Sequence, residues 1–454
     1  MKKYLFTAML VLGTMNACTI STLAQTTLQE GKEWFYRSCY SPRGADSNHR
    51  TWIAGDSVLN GITYFKLYED NASKVADLVR EKDGKVYGQR DNSYPGMDMP
   101  DNKGLYYDFS LALGESAVVY SGGAVGTYAV DTIQVDGKVF RRISIYSKDG
   151  REAPYKEYWV EGVGSNYGFY PADRMWDYGA YSALDSCKVD GQLFFTRNDF
   201  LRVPHSERQW VYGDYRIMNV GGQTPYLSHY STRTYATIGE VEHNGRTYQK
   251  VYECTTSRNA GTDADTRYKY LFAMRHEDGR VLADAESYRA TFAGAIDDYP
   301  TNDEGEYILY DYNVQAGESY LGTEKTVIEA GDTILADGQV HRLLVLSSGH
   351  QLIEGIGCVN VHGTPFDYLG QKIGAAEDFD FSLLENYYDA EGHRIYVNTR
   401  ENAYQAIVNG VESVSTTVAH IADDAIYDLQ GRRMDARHLQ KGVYIQHGRK
   451  FVVK

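Results

Sequence analysis

The chain has 454 residues, 43% of them hydrophobic and 24% charged, which fits two or three globular domains and excludes a disordered or fibrous chain. Its formal charge of −15 repels a phosphate backbone, so nucleic acid is excluded as an expected partner. Forty tyrosines against nine prolines favour pleated, half-buried surfaces, and the expected class is all-β.

The first element is a leader. Lys2 and Lys3 precede a short apolar run, Tyr4 to Gly13, and Thr22-Leu23-Ala24 supplies a small-residue cleavage site. Residues 1–24 are therefore expected to be a signal peptide, cut between Ala24 and Gln25. Lipid attachment at Cys18 is the rival, but Met15-Asn16-Ala17 departs from the small-residue pattern that processing needs. Neither the leader nor any later run is long enough to span a bilayer, so no transmembrane segment is expected. Cleavage leaves Cys39, Cys187, Cys254 and Cys358, for which three full pairings are possible.

Two tandem copies of one module follow, expected over residues 26–200 and 203–402. Trp34 and Trp210 open them. Asn60-Gly61-Ile62-Thr63-Tyr64 returns as Asn244-Gly245-Arg246-Thr247-Tyr248, and the Asp83-Gly84 block returns at Asp278-Gly279. Tyr107 to Ser116 (YDFSLALGES) matches Tyr310 to Ser319 (YDYNVQAGES) at five of ten positions. Asp131-Thr132-Ile133 with Asp136-Gly137 is echoed by Asp332-Thr333-Ile334 with Asp337-Gly338, and Glu161-Gly162-Val163-Gly164 by Glu354-Gly355-Ile356-Gly357. Five blocks in one order point to duplication.

The blocks read as strands and the spacers as loops. Tyr107, Phe109, Leu111 and Leu113 alternate with Asp108, Ser110 and Ala112, which predicts one buried and one opposite face; Tyr310, Tyr312 and Val314 repeat the pattern. Asn-Gly and Asp-Gly pairs tolerate the positive φ of tight hairpins, so each copy is expected to be an antiparallel meander, barrel-like or sandwiched.

Candidate chemistry is thin. Gly162 to Gly168 resembles a phosphate loop only loosely and fits bent strand ends better. Asp98, Asp101 and Asn102, and Asp297, Asp298, Asn302, Asp303 and Glu304, offer hard oxygens for calcium, yet match no known loop spacing. His341, His350 and His362 have no metal-ligand spacing. Tyr64, Tyr68, Tyr248 and Tyr252 suit strand packing better than sugar stacking. No catalytic residue, cofactor or metal is assigned.

Beyond a Ser/Thr-rich connector, residues 411–454 are expected to form a small β tail. From Ala425 it carries seven Lys/Arg against two Asp/Glu. Asp428, Leu429, Gly431 and Arg432, then Gly442, Tyr444 and Ile445, and finally Lys450 and Lys454 resemble the C-terminal sorting domain of Bacteroidota cargo for the type IX secretion system. That resemblance implies an Ig-like tail, passage through the outer-membrane secretion machinery, and a secreted or surface-attached product. The body is similar to uncharacterised repeats on such exported proteins. The expected function is therefore binding or structural, with a glycan or a host or surface protein as partner. The alternative is a glycan-binding or glycan-processing accessory protein whose site lies in copy-specific loops.

Overall fold

The computed structural model describes residues 26–40, 45–70, 74–89, 104–119, 124–147, 157–170, 180–218, 226–256, 266–293, 299–361, 363–369, 378–398, 426–428, 433–434, 442–446 and 449–453. They are almost entirely antiparallel β, as the composition predicts.

The first copy opens with β1 (Lys32–Tyr40), β2 (Ala45–Leu59), β3 (Ile62–Glu69), β4 (Asp77–Lys82), β5 (Lys85–Gly88) and β6 (Leu105–Asp108), each paired with the next. A smaller sheet follows: β7 (Ser116–Val118), β8 (Ala124–Val135), β9 (Lys138–Ser147), β10 (Glu157–Val160) and β11 (Gly164–Ser165). The chain then returns to flank β1 with β12 (Ala180–Val189) and β13 (Gln192–Thr196).

The second copy repeats this order. Its large sheet runs through β14 (Arg208–Met218), β15 (Tyr226–His243), β16 (Arg246–Thr256), β17 (Thr266–Glu277), β18 (Arg280–Ala283) and, after a short helix α1 (Ala285–Thr291), β19 (Tyr307–Asp311). The small sheet holds β20 (Val327–Ile334), β21 (Val340–Leu346), β22 (Gln351–Ile353) and β23 (Gly357–Cys358). Then β24 (Asn360–Val361) and β25 (Asp378–Tyr388) return to β14, and β26 (Arg394–Val397) pairs with β25. In the tail β27 (Ile426–Asp428), β28 (Arg433–Met434), β29 (Gly442–Gln446) and β30 (Arg449–Val453) form a four-stranded sheet.

Turn chemistry explains the hairpins. Asn60, Asp83, Asp136, Asp190, Asn244 and Asp278 all sit at φ between 47° and 54°, each followed by a Gly that is also left-handed. A bulge is repeated as well, at Gly55 (φ 73°) and Gly239 (φ 66°), where β2 and β15 each gain residues over their partners.

Three expectations need correction. The strand over Tyr107–Leu113 ends at Asp108; Leu113 lies in a turn and is 67% exposed. Asp108 and Asp311 are buried like their neighbours, because β6 and β19 are covered on both faces; each carboxylate is tied to a cation, Lys85 at 2.7 Å and Arg280 at 2.7 Å. The Asp-Thr-Ile blocks also fall out of step. β8 closes with Val135 opposite Lys138, whereas β20 closes with Ile334 opposite Val340, a longer turn in which only Gly338, not Asp337, is left-handed. Since side chains alternate faces, the slip leaves Ile133 3% exposed and Ile334 57%.

Each copy fills its own core: one cluster draws on residues from Leu28 to Phe200, the other on residues from Trp210 to Tyr396. Between them lies a polar junction rather than a loose linker. Asp199, fully buried in a 3-10 turn (Arg197–Leu201), accepts hydrogen bonds from Thr196 N, Thr196 Oγ1 and Tyr388 Oη and pairs with Arg394 Nη1 at 3.2 Å. Arg394 reaches on to Asp136 in the β8–β9 turn. Arg202 lies over the Tyr388 ring (4.4 Å) and donates to the Gln134 carbonyl and to Gln209 Oε1.

Candidate functional site

The duplicated Glu-Gly-x-Gly blocks form a clasp between the sheets, not a phosphate loop. Trp34 Nε1 donates to the Val163 carbonyl at 2.7 Å, and Trp210 Nε1 to the Ile356 carbonyl at 2.7 Å. Gly164 and Gly357 pack under the Tyr107 and Tyr310 hydroxyls, where an added Cβ would sit 3.3 and 3.1 Å from oxygen. These glycines are needed for close packing.

The second copy holds a cleft of about 480 Å³ between the β15–β16 turn, helix α1 and the turn before β19. Its floor is Glu306, which takes hydrogen bonds from Tyr248 Oη (2.5 Å), Arg275 Nε and Nη2 (2.7 Å each) and Asn302 Nδ2 (2.8 Å). Burial alone would raise its pKa, but those donors hold it at about 2. Glu306 is thus a fixed anion rather than a proton donor. On one wall His243 Nδ1 meets Asp284 Oδ1 at 2.5 Å, while Asp284 also caps α1 through Ser287 N. Asn302 turns its carbonyl oxygen to Glu304 N and Glu306 N, which removes it as a cation ligand.

The outer face of the first large sheet differs most from its counterpart. Because Trp34, Thr51, Ile53, Leu67, Val79, Val86 and Cys187 point inward, their strand neighbours point out. A cross-strand ladder results. Lys188 Nζ lies 4.8 Å from the Phe35 ring, Arg50 packs 4.6 Å over Trp52, and Trp52 stacks on Tyr68 with centroids 5.6 Å apart. Further along, Arg80 lies 4.7 Å over Tyr87. The pairing register aligns Phe35, Arg50, Trp52, Tyr68, Ser186 and Lys188 with Val211, Thr234, Ala236, Tyr252, Asn386 and Tyr388. In the second copy that face is covered by the junction: Val211, Ala236 and Tyr388 are fully buried, Val203 packs on Ala236, and Asn198 Nδ2 donates to Asn386 Oδ1.

In the first copy the same face stays half-buried. Arg50 pairs with Glu33 at 2.6 Å and Lys85 with Asp108, but Lys66, Arg80, Lys82 and Lys188 have no ion partner among the described residues. Arg80 corresponds to Arg275, whose acids are Glu306 and Glu277, and Lys82 corresponds to Glu277 itself. The Nε–H groups of Arg50 and Arg80 meet no acceptor. The face is therefore a basic strip on an acidic chain, in which Tyr64, Lys66, Tyr68, Arg80 and Lys82 belong to the duplicated blocks and Phe35, Arg50, Trp52 and Lys188 lie outside them.

The remaining sequence candidates do not converge. His341 bonds Asp337 and the Glu354 carbonyl, His350 is buried beside Ser348, and His362 lies outside the described residues, as do Asp98, Asp101, Asn102, Asp297 and Asp298. Cys187, Cys254 and Cys358 are buried free thiols. Burial raises the thiol pKa of Cys187 to about 11 and of Cys254 to about 12, and pushes Cys358 up as well. Ala24, Gln25, Leu429, Gly431, Arg432 and Lys454 lie outside the described residues; Asp428, Gly442, Tyr444, Ile445 and Lys450 stand on β27, β29 and β30, with Asp428 opposite Tyr444 and Ile445 opposite Lys450. No helix among the described residues is long and apolar enough to cross a membrane. Compared with known families, curated proteins and solved structures, the chain matches none.

Proposed function

We propose that this is an exported binding protein, displayed on the cell surface or released, whose working surface is the outer face of the first large sheet. The leader Lys2 to Ala24 and the type IX-like tail motif support the address. One observation carries the binding role. At the positions of Phe35, Arg50 and Trp52 the second copy has Val211, Thr234 and Ala236, small and buried against the junction, whereas the first copy is aromatic and cationic there and left half-buried. At Phe35, Arg50 and Trp52 folding requires neither ring nor charge, since Val211, Thr234 and Ala236 serve at the equivalent positions. The second copy then acts as a rigid support, and the tail as the element read by the outer-membrane machinery.

An array of glycans and surface proteins probed with the mature chain tests this. Signals should vanish with the double variant Arg50→Ala/Arg80→Ala and persist with Arg289→Ala in the cleft of the second copy. A blank array, or signals that both variants leave intact, refutes the assignment.

A further inference from the structure

The geometry points to an anionic polysaccharide, carrying carboxylate or sulfate groups, as the ligand of this face; the inference rests on the binding role proposed above. Lys188, Arg50, Lys66 and Arg80 stand on β12, β2, β3 and β4, so the cations recur across the sheet rather than along one strand. With neighbouring strands about 4.8 Å apart, the row from Lys188 to Arg80 covers roughly 20 Å. A single small anion engages one or two such groups. An extended, regularly charged chain laid across the strands engages all of them.

Ring geometry narrows the class. Phe35, Trp52 and Tyr68 are already packed against Lys188, Arg50 and one another, and they offer ring edges on a flat, rigid floor. Protein partners are usually anchored by a side chain inserted into a central pocket, whereas the clefts lined by His243 and Glu306, by Tyr128 and Cys254, and by Glu207 and Glu391 lie away from this face. Flat apolar edges between cations suit the C–H faces and pendant acids of sugar rings instead. Duplex nucleic acid meets the long-range repulsion of a chain with net charge −15, whereas an acidic polysaccharide of lower charge density meets less of it.

The test uses the mature full-length chain with five immobilised probes: polygalacturonate, dextran sulfate, uncharged dextran, polyglutamate and duplex DNA. Polygalacturonate and dextran sulfate should bind, and uncharged dextran should not. The double variant Lys66→Ala/Arg80→Ala should weaken polyanion binding about tenfold at 50 mM salt, and raising salt to about 500 mM should do the same, because exposed charge contacts are screened. Neither position has an ion partner among the described residues, so chiefly the Arg80 stacking on Tyr87 is lost and the unfolding temperature should fall by no more than about 4 °C. Uncharged dextran bound as tightly as the polyanions, with loss in the double variant, overturns the ligand class while leaving the face as the binding surface. Equal binding of polyglutamate or DNA overturns the preference for sugars. Polyanion binding unaffected by the double variant overturns both the ligand class and the role of the face.

Discussion

Replacing Arg394 by alanine should uncouple the two copies. Arg394 keeps only 4% of its side chain exposed and joins Asp136 of the first copy to Asp199 of the connecting turn. Its removal leaves Asp199, wholly buried, with neutral donors from Thr196 and Tyr388 and no cation. Removing one member of a buried ion pair costs about 3–5 kcal/mol, because the surviving charge is stranded away from water. In modules of this size each kcal/mol moves the midpoint by about 2–4 °C, so a drop of roughly 6–20 °C is expected. Differential scanning calorimetry of the mature chain provides the readout. The parent should unfold in one transition, since the junction is shared, and Arg394→Ala should split it as the copies melt separately. The triple variant Asp136→Asn/Asp199→Asn/Arg394→Met removes all three charges and should recover most of the loss. Two transitions already present in the parent, or an Arg394→Ala shift below about 1 °C, would show that the copies never shared a cooperative unit.

Phe109→Ala should cost about 3–5 kcal/mol, since the ring is 2% exposed and stacks on Tyr107 at 5.3 Å; Asp108→Ala should cost only about 1–2 kcal/mol, and chemical denaturation distinguishes them. Acid should act in two stages. His276 stands at an exposed position with Nε2 2.6 Å from Arg208 Nη1, and desolvation together with the Arg208 charge lowers its pKa from 6.5 to about 4, so the unfolded chain takes the proton first and stability declines as pH drops from 6.5 to 4. Glu306, held at about 2 against a free value of 4.5, contributes fully above 4.5 and loses its contribution as pH falls through 2; the shift amounts to at most about 3 kcal/mol, less in a solvent-open cleft. His276→Gln should flatten the first limb of the stability–pH curve and Glu306→Gln the second. Alkylation of the native protein at pH 8 should leave Cys187, Cys254 and Cys358 unmodified by mass spectrometry, and modification of any of them without denaturant contradicts their burial.

The hairpins were legible because an Asn-Gly or Asp-Gly pair carries its own conformational demand, independent of what surrounds it. Duplication was legible for the same reason: turns, the Trp at each opening and the clasp glycines are fixed by local geometry. The burial of Asp108 was not, since alternation shows which residues share a face but not that a sheet is covered on both sides. Nor was the basic strip. Arg50 and Trp52 fall outside the repeated blocks, and their meaning comes from comparison with Thr234 and Ala236, which requires knowing that one copy's face is buried against the junction. The net charge conceals the strip as well, because four unpaired cations vanish in a total of −15.

The slipped hairpin bears on how the two halves of the gene can have changed since they arose from one. Recombination between near-identical repeats tends to overwrite one with the other and keep them alike. Here a segment exchanged within the Asp-Thr-Ile block arrives one position out of step: the apolar residue that belongs under the first copy's small sheet is delivered to water, and its polar neighbour to the interior. Such recombinants should fold poorly. The wider turn of the second copy should thus disfavour exchange between the halves at this block.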